Sequence, residues 1–167
     1  MYTPLAIANA FISRRPGITS VKANKLIWQF HGWALALGYE LCSEQPLCWE
    51  FGPVYASAYD ALRGFKGGAI NWPVRPANGT RAPTIPADDT ITWNLVDQVL
   101  KLYGDFTPAQ LCHLAHRKGS PWDEAFGSKP LRHRSYGSQI PIEAMRIWFA
   151  NLLADAHAAE ANRCIAA

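Results

Sequence analysis

The sequence predicts a mainly α-helical, compact single domain of about six to seven helices with one small β-hairpin. Three observations lead there. Apolar residues recur at helical spacing through most of the chain, and the runs open on capping residues or close on Gly. One short stretch near residue 50 alternates instead. The 167 residues contain no repeat and no linker, so they fit one domain able to bury roughly two-thirds of its unfolded surface.

The first helix is announced by Thr3 as a capping oxygen and Pro4 at the first helical position, with Leu5, Ala8, Phe11 and Ile12 on one stripe and Pro16-Gly17 as the stop. The second spans about 19–37, with Leu26, Phe30, Trp33 and Leu37 on one face, Ile27 and Ala34 beside them, and Gly38 at its end. Between Tyr39 and Phe51 the period becomes two, with Leu47, Trp49 and Phe51 on one side and Cys48 and Glu50 on the other. Ser43-Glu44-Gln45-Pro46 is the expected hairpin turn, and Trp49 and Phe51 are expected to anchor the hairpin to the helices. Gly52-Pro53 then reads as a corner into a third helix striped by Val54, Ala58, Leu62 and Phe65, and stopped by Gly67-Gly68.

Residues 72–90, with Pro73, Pro76, Asn78-Gly79, Pro83 and Pro86, read as an exposed loop of functional length. Leu95, Val96, Val99 and Tyr103 mark the next helix, ended by Gly104. Thr107-Pro108-Ala109-Gln110 is a capping box, in which the Thr and Gln side chains satisfy each other's free amides. Ser120-Pro121-Trp122-Asp123 opens a short helix, 127–139 returns to Gly, Ser and basic loop chemistry, and the last helix starts near Pro141 with Ile142, Met145, Phe149 and Leu152 inward. The domain is expected to span 1–153, and the Ala-rich tail 154–167 to be a frayed helix.

Sixteen Lys and Arg against thirteen Asp and Glu give a net charge of +3, which permits an acidic partner without demanding one. No run approaches the roughly 18 apolar residues of a membrane span, and the N-terminus lacks a basic flank with an apolar signal core. The expected location is the cytoplasm, where Cys42, Cys48, Cys112 and Cys164 stay reduced.

Catalytic signatures are sparse. His113 and His116 share a helix face, yet zinc needs three or four converging ligands, and capping or partly buried histidines answer the pattern equally well. His31 reads as a packing residue with one satisfied ring nitrogen. Glu50 between two aromatics could act as an acid if its pKa were raised, but no second carboxylate or base is spaced to work with it, and an exposed or hydrogen-bonded strand residue is the simpler account. There is no Gly-x-Ser-x-Gly elbow and no phosphate-binding Gly-rich loop. Arg117, Lys118, Lys129, Arg132 and Arg134, interleaved with Trp122, His133 and Tyr136, could hold phosphates in a salt-dependent way, or simply line a solvated loop.

Taken together, Lys25-Leu26-Ile27-Trp28-Gln29-Phe30-His31-Gly32-Trp33, Trp49-Glu50-Phe51-Gly52-Pro53-Val54, Tyr103-Gly104, and Leu111-Cys112-His113-Leu114-Ala115-His116 followed by Ser120-Pro121-Trp122 resemble the Panacea domain, a family with SocA-like and GepA-like phage-associated members. The resemblance covers residues 3–153; Ala115 stands where the family commonly has Thr, and 72–90 is a local elaboration. It implies a helical antitoxin, a binding protein with no catalytic residues and no cofactor, whose partner is a protein toxin encoded beside it. It also implies that a AAA+ protease of the ClpXP type can receive the bound toxin. The contact is expected around Trp49, Glu50, Gly52, Pro53, Tyr55 and Tyr59 at the corner, Arg75 and Arg81 in the Pro-rich loop, and His116, Trp122, Arg132 and Arg134 in and beside the basic 117–134 region. The alternatives are a nucleic-acid-binding regulator using that basic region, and a hydrolase or metalloprotein centred on His113, His116 or Glu50.

Overall fold

In a computed structural model that describes residues 1–127 and 137–165, the chain is mainly helical with a small two-stranded antiparallel sheet. Helix α1 (Pro4–Arg14) begins as the sequence indicates, with the Thr3 hydroxyl accepting from the Ala6 amide and Pro4 at the first position. Helix α2 (Ser20–Ala36) is capped by Thr19 and packs against α1, α3 (Ala56–Leu62), α4 (Thr90–Tyr103), α5 (Pro108–Ala115) and α6 (Ile142–Ile165). It is the axis of the molecule. Covered on most of its surface, it buries polar residues as well as apolar ones: Asn24, Lys25, Gln29 and His31 are all inside. A helix with no polar face has nowhere else to put them.

The densest helix pair is α2 with α6, where Gly32 lies so close to the Phe149 ring that a Cβ there would overlap it. The α5 capping box is present in full, with Thr107 and Gln110 bonded reciprocally. After α5 the chain turns at Ser120, whose hydroxyl accepts from the Asp123 amide, and widens into a π-helical turn at Asp123–Gly127. Helix α6 runs to Ile165, past the Ala154 boundary, and its residues 154–160 are exposed.

The hairpin differs from expectation. Strand β1 (Leu47–Trp49) pairs with β2 (Gly52–Val54), so the turn is Glu50-Phe51 and not Ser43–Pro46. Pro53 is a strand residue opposite Cys48, and α3 starts only at Ala56. The strand tolerates this proline for a definite reason. The Cys48 N–H and C=O are both turned the other way, to the Ser138 carbonyl and the Gly137 amide, so the Cys48–Pro53 pair is one that exchanges no backbone bonds and asks for no proline N–H. Phe51, expected to anchor the hairpin, sits at the turn and is 75 % exposed.

The 72–90 segment is largely exposed, but it is fastened. Buried Asn9 on α1 accepts from the Val74 amide and donates to the Val74 and Pro83 carbonyls, and Ile85 inserts into the core.

Candidate functional site: the Glu50–Phe51 corner

Three alternate backbone carbonyls of the corner are each held by a side chain from a different part of the fold. The Trp122 indole donates to the Trp49 carbonyl at 2.8 Å, the Cys112 thiol to the Phe51 carbonyl at 3.5 Å, and the Lys25 ammonium to the Pro53 carbonyl at 2.9 Å. Two residues further, the Tyr55 amide donates to Asn24 Oδ1 at 3.1 Å. Helix α2 therefore satisfies the outer edge of β2 through Asn24 and Lys25, while residues 137–140 cover the outer edge of β1. Among the described residues, no free strand edge remains at this corner for a partner to pair with. What reaches solvent is the turn itself.

Gly52 makes that turn possible. Its φ of +99° is the left-handed step that closes the hairpin, and its missing Cβ leaves room for buried groups: a Cβ there would lie 2.8 Å from Lys25 Nζ and 3.3 Å from His116 Nε2. Lys25 is only 2 % exposed and has no carboxylate partner among the described residues, so burial lowers its pKa to about 8, an effect a neighbouring Cys112 opposes. His116 stacks flat on Trp122 (centroids 3.8 Å apart, 15° between planes), which in turn stacks on Phe126. Its Nε2 is sealed without a hydrogen-bond partner among the described residues. Burial, then the positive charge of Lys25 and His113, push its pKa down, with Asp123 pulling the other way. The imidazole is held neutral beneath the corner.

Above this base the surface is apolar. Trp49 and Tyr59 meet edge to face at 4.8 Å, and with Val21, Phe51 and Val54 they line a cleft of about 300 Å³ whose polar rim is Ser20, Asn24 and Glu50. Phe51 at 75 % and Val21 at 46 % exposure stand open beside it. Solvent-facing aromatic surface on a fixed backbone suits protein recognition.

The corner brings together Trp49, Glu50, Gly52, Pro53, Tyr59, His116 and Trp122 from the expected contact set. Their duties divide, however. Gly52, Pro53 and Trp122 are buried and shape the turn, whereas Trp49, Glu50 and Tyr59 line the cleft. Tyr55 is a correction: it is fully buried, its hydroxyl 2.8 Å from His31 Nδ1, and it cannot touch a partner. His31 is thereby the packing histidine with a paired ring nitrogen that its aromatic setting suggests. Arg75 and Arg81 are exposed on the Pro-rich loop, and Arg81 lines a different cleft, with Pro76, Pro83 and Glu44. Arg132 and Arg134 lie outside the described residues, as do Lys129, His133 and Tyr136. Glu50 is exposed, and His113 points to solvent while His116 lies against Trp122, so the two imidazoles do not converge.

Sequence reasoning missed Lys25 and Cys112 as the clamps, and Val21 and Phe51 as the open apolar surface. The signal for Lys25 was present in the scattering of polar residues through Ser20–Ala36 with no polar face to collect them. Compared with protein-family models, with curated proteins and with solved structures, the chain matches none.

Proposed function

We propose that this protein is a cytoplasmic antitoxin that neutralises a protein toxin by binding it directly through the Glu50–Phe51 corner. The observation that carries the reading is Phe51, an open aromatic side chain on a turn whose Trp49, Phe51 and Pro53 carbonyls are tied to the body of the fold. A preorganised anchor loses little conformational freedom on binding, so most of the apolar area it buries is available as affinity. The sequence resemblance to the Panacea domain supplies the class of partner. Delivery of the bound toxin to a AAA+ protease of the ClpXP type is compatible with the same surface, since an adaptor needs one face for cargo and another for the protease.

Co-expression with the protein encoded beside it tests the reading. The neighbour alone is expected to arrest growth, and growth is expected to return when this chain is present and the two are recovered as a complex. A harmless neighbour, or one that stays lethal in the presence of this chain, ends the antitoxin reading.

A further inference from the structure

One turn along α2 from Lys25, at Gln29, a narrow slot of about 30 Å³ opens between α2, α4, α5 and α6. It is large enough for a head group and far too small for a whole cofactor. Trp28 and Trp148 are among its walls. Among the donors that line it, Gln29, Tyr103 and Arg117 have capacity to spare, while the Ser120 hydroxyl is spent on the Ala115 carbonyl. Gln29 is 4 % exposed, and its amide has no hydrogen-bond partner among the described residues. Tyr103 receives a bond from the Trp33 indole at 3.1 Å, which leaves its own O–H proton unspent. Arg117 has no carboxylate partner among the described residues. No Asp or Glu lines the slot.

Aromatic walls alone would suit a cation. Arg117 reverses that preference, and the Gln29 amide, which makes no hydrogen bond to the described residues, is free to bond a ligand in the slot. A flat anion, able to take two parallel bonds from a guanidinium and more from an amide and a phenol, answers the whole set. We infer that this slot is a carboxylate-binding site, formed by Gln29, Tyr103 and Arg117 beside Trp28 and Trp148. The inference is separate from the toxin contact, which lies at the corner.

The carboxylate has two sources, a small free acid or the C-terminus of a bound polypeptide, and one titration separates them. In ¹⁵N-labelled protein the Gln29 side-chain amide and the Trp148 indole report on the slot while acetate, acetamide, a short Gly-Ala peptide with a free C-terminus and its amidated twin are added. Saturable shifts with acetate and none with acetamide identify a small acid. Shifts with the free peptide alone, absent from the amidated one, identify a chain terminus. Arg117 is at the surface, so R117A keeps the fold, and it is expected to weaken binding by about tenfold or more, the loss of a charge-assisted bond. Q29L is expected to remove the remaining selectivity over the amide. If neither carboxylate gives a saturable shift, or R117A leaves the affinity unchanged, the assignment is wrong.

Discussion

Lys25 is a cation folded into an interior that offers it one backbone carbonyl and no counter-charge. Its pKa falls from 10.5 to about 8, a gap that corresponds to about 3 kcal/mol held against the fold. The sign follows from proton counting. Between pH 8 and 10.5 the unfolded chain keeps the proton that the folded chain has released, so stability rises across that window, and below pH 8 the full cost is present. Lys25→Met removes the charge and leaves the Pro53 carbonyl unpaired, a loss of about 1–3 kcal/mol that nearly offsets the relief at neutral pH. Urea melts at pH 7 are therefore expected to be similar for the two proteins. At pH 10 the native protein should be the more stable, and parallel pH profiles would contradict the buried charge. His31 acts in the same sense at the acid end: burial, with Arg146 adding to it, lowers its pKa to about 4, so stability present above pH 6.5 drains away as pH falls toward 4. His31→Gln, able to keep a bond to the Tyr55 hydroxyl, should flatten that acid limb in thermal melts between pH 4 and 7. Neither titration was legible from residue type. His31 among aromatics could be placed inside, and the missing polar face over Ser20–Ala36 signals that Lys25 goes inside as well, but what surrounds a buried lysine, and so how it titrates, is a tertiary fact.

At the scale of elements, local chemistry determined most of what sequence could show. Thr3-Pro4, the Thr107 capping box and Gly38 with its φ of +83° each mark a helix end where the structure has one, because cap bonds are made within a few residues. The hairpin was misplaced because Ser43–Pro46 holds strong turn formers, whereas Glu50-Phe51 holds none; the left-handed Gly52 was the true marker, and it reads as a helix corner when followed by Pro. Gly52→Ala should lower stability by roughly 1–2 kcal/mol from the left-handed backbone alone, with more from the Cβ meeting Lys25 Nζ. Gly52→Asn tolerates the dihedral but keeps the clash, so partial recovery in a denaturant series separates the two terms. Combining Gly52→Ala with Lys25→Met should cost less than the sum, since one of the clashing groups is shortened. Where α2 meets α6, Gly32→Ala has no such escape, because the Phe149 ring is fixed among Trp28 and Trp33. It is expected to destabilise by about 1–3 kcal/mol as overpacking does, and Phe149→Leu in the same chain should restore part of it.

For the whole molecule, the wrapping of α2 explains why chemistry and shape part company here. The helix brings Asn24 and Lys25 to the corner and, one turn further on along the face of Lys25, Gln29 to the slot, so the polar residues with the most unusual environments follow one another along a single buried helix. Sequence could assemble the corner because its residues are contiguous, but the clamp from Cys112 and Trp122 and the apolar cleft with Val21 arise only when distant segments meet. The arrangement makes a sharp demand on Phe51. Its side chain is mostly in solvent, so Phe51→Ala and Phe51→Glu should leave folding stability within about 0.5 kcal/mol of the native protein. As the centre of a partner contact, the same side chain should be worth about 2 kcal/mol or more, so Phe51→Ala weakens the complex by roughly thirtyfold, and Phe51→Glu, which forces a charge into an apolar contact, abolishes it. Calorimetric titration against the neighbouring protein measures the affinity, and growth rescue in co-expression measures the consequence. If native protein rescues growth and Phe51→Glu rescues it equally, the toxin is held elsewhere and the corner is only a well-braced turn. Loss of rescue in Phe51→Glu with an unchanged urea midpoint places the contact where the three clamped carbonyls hold it.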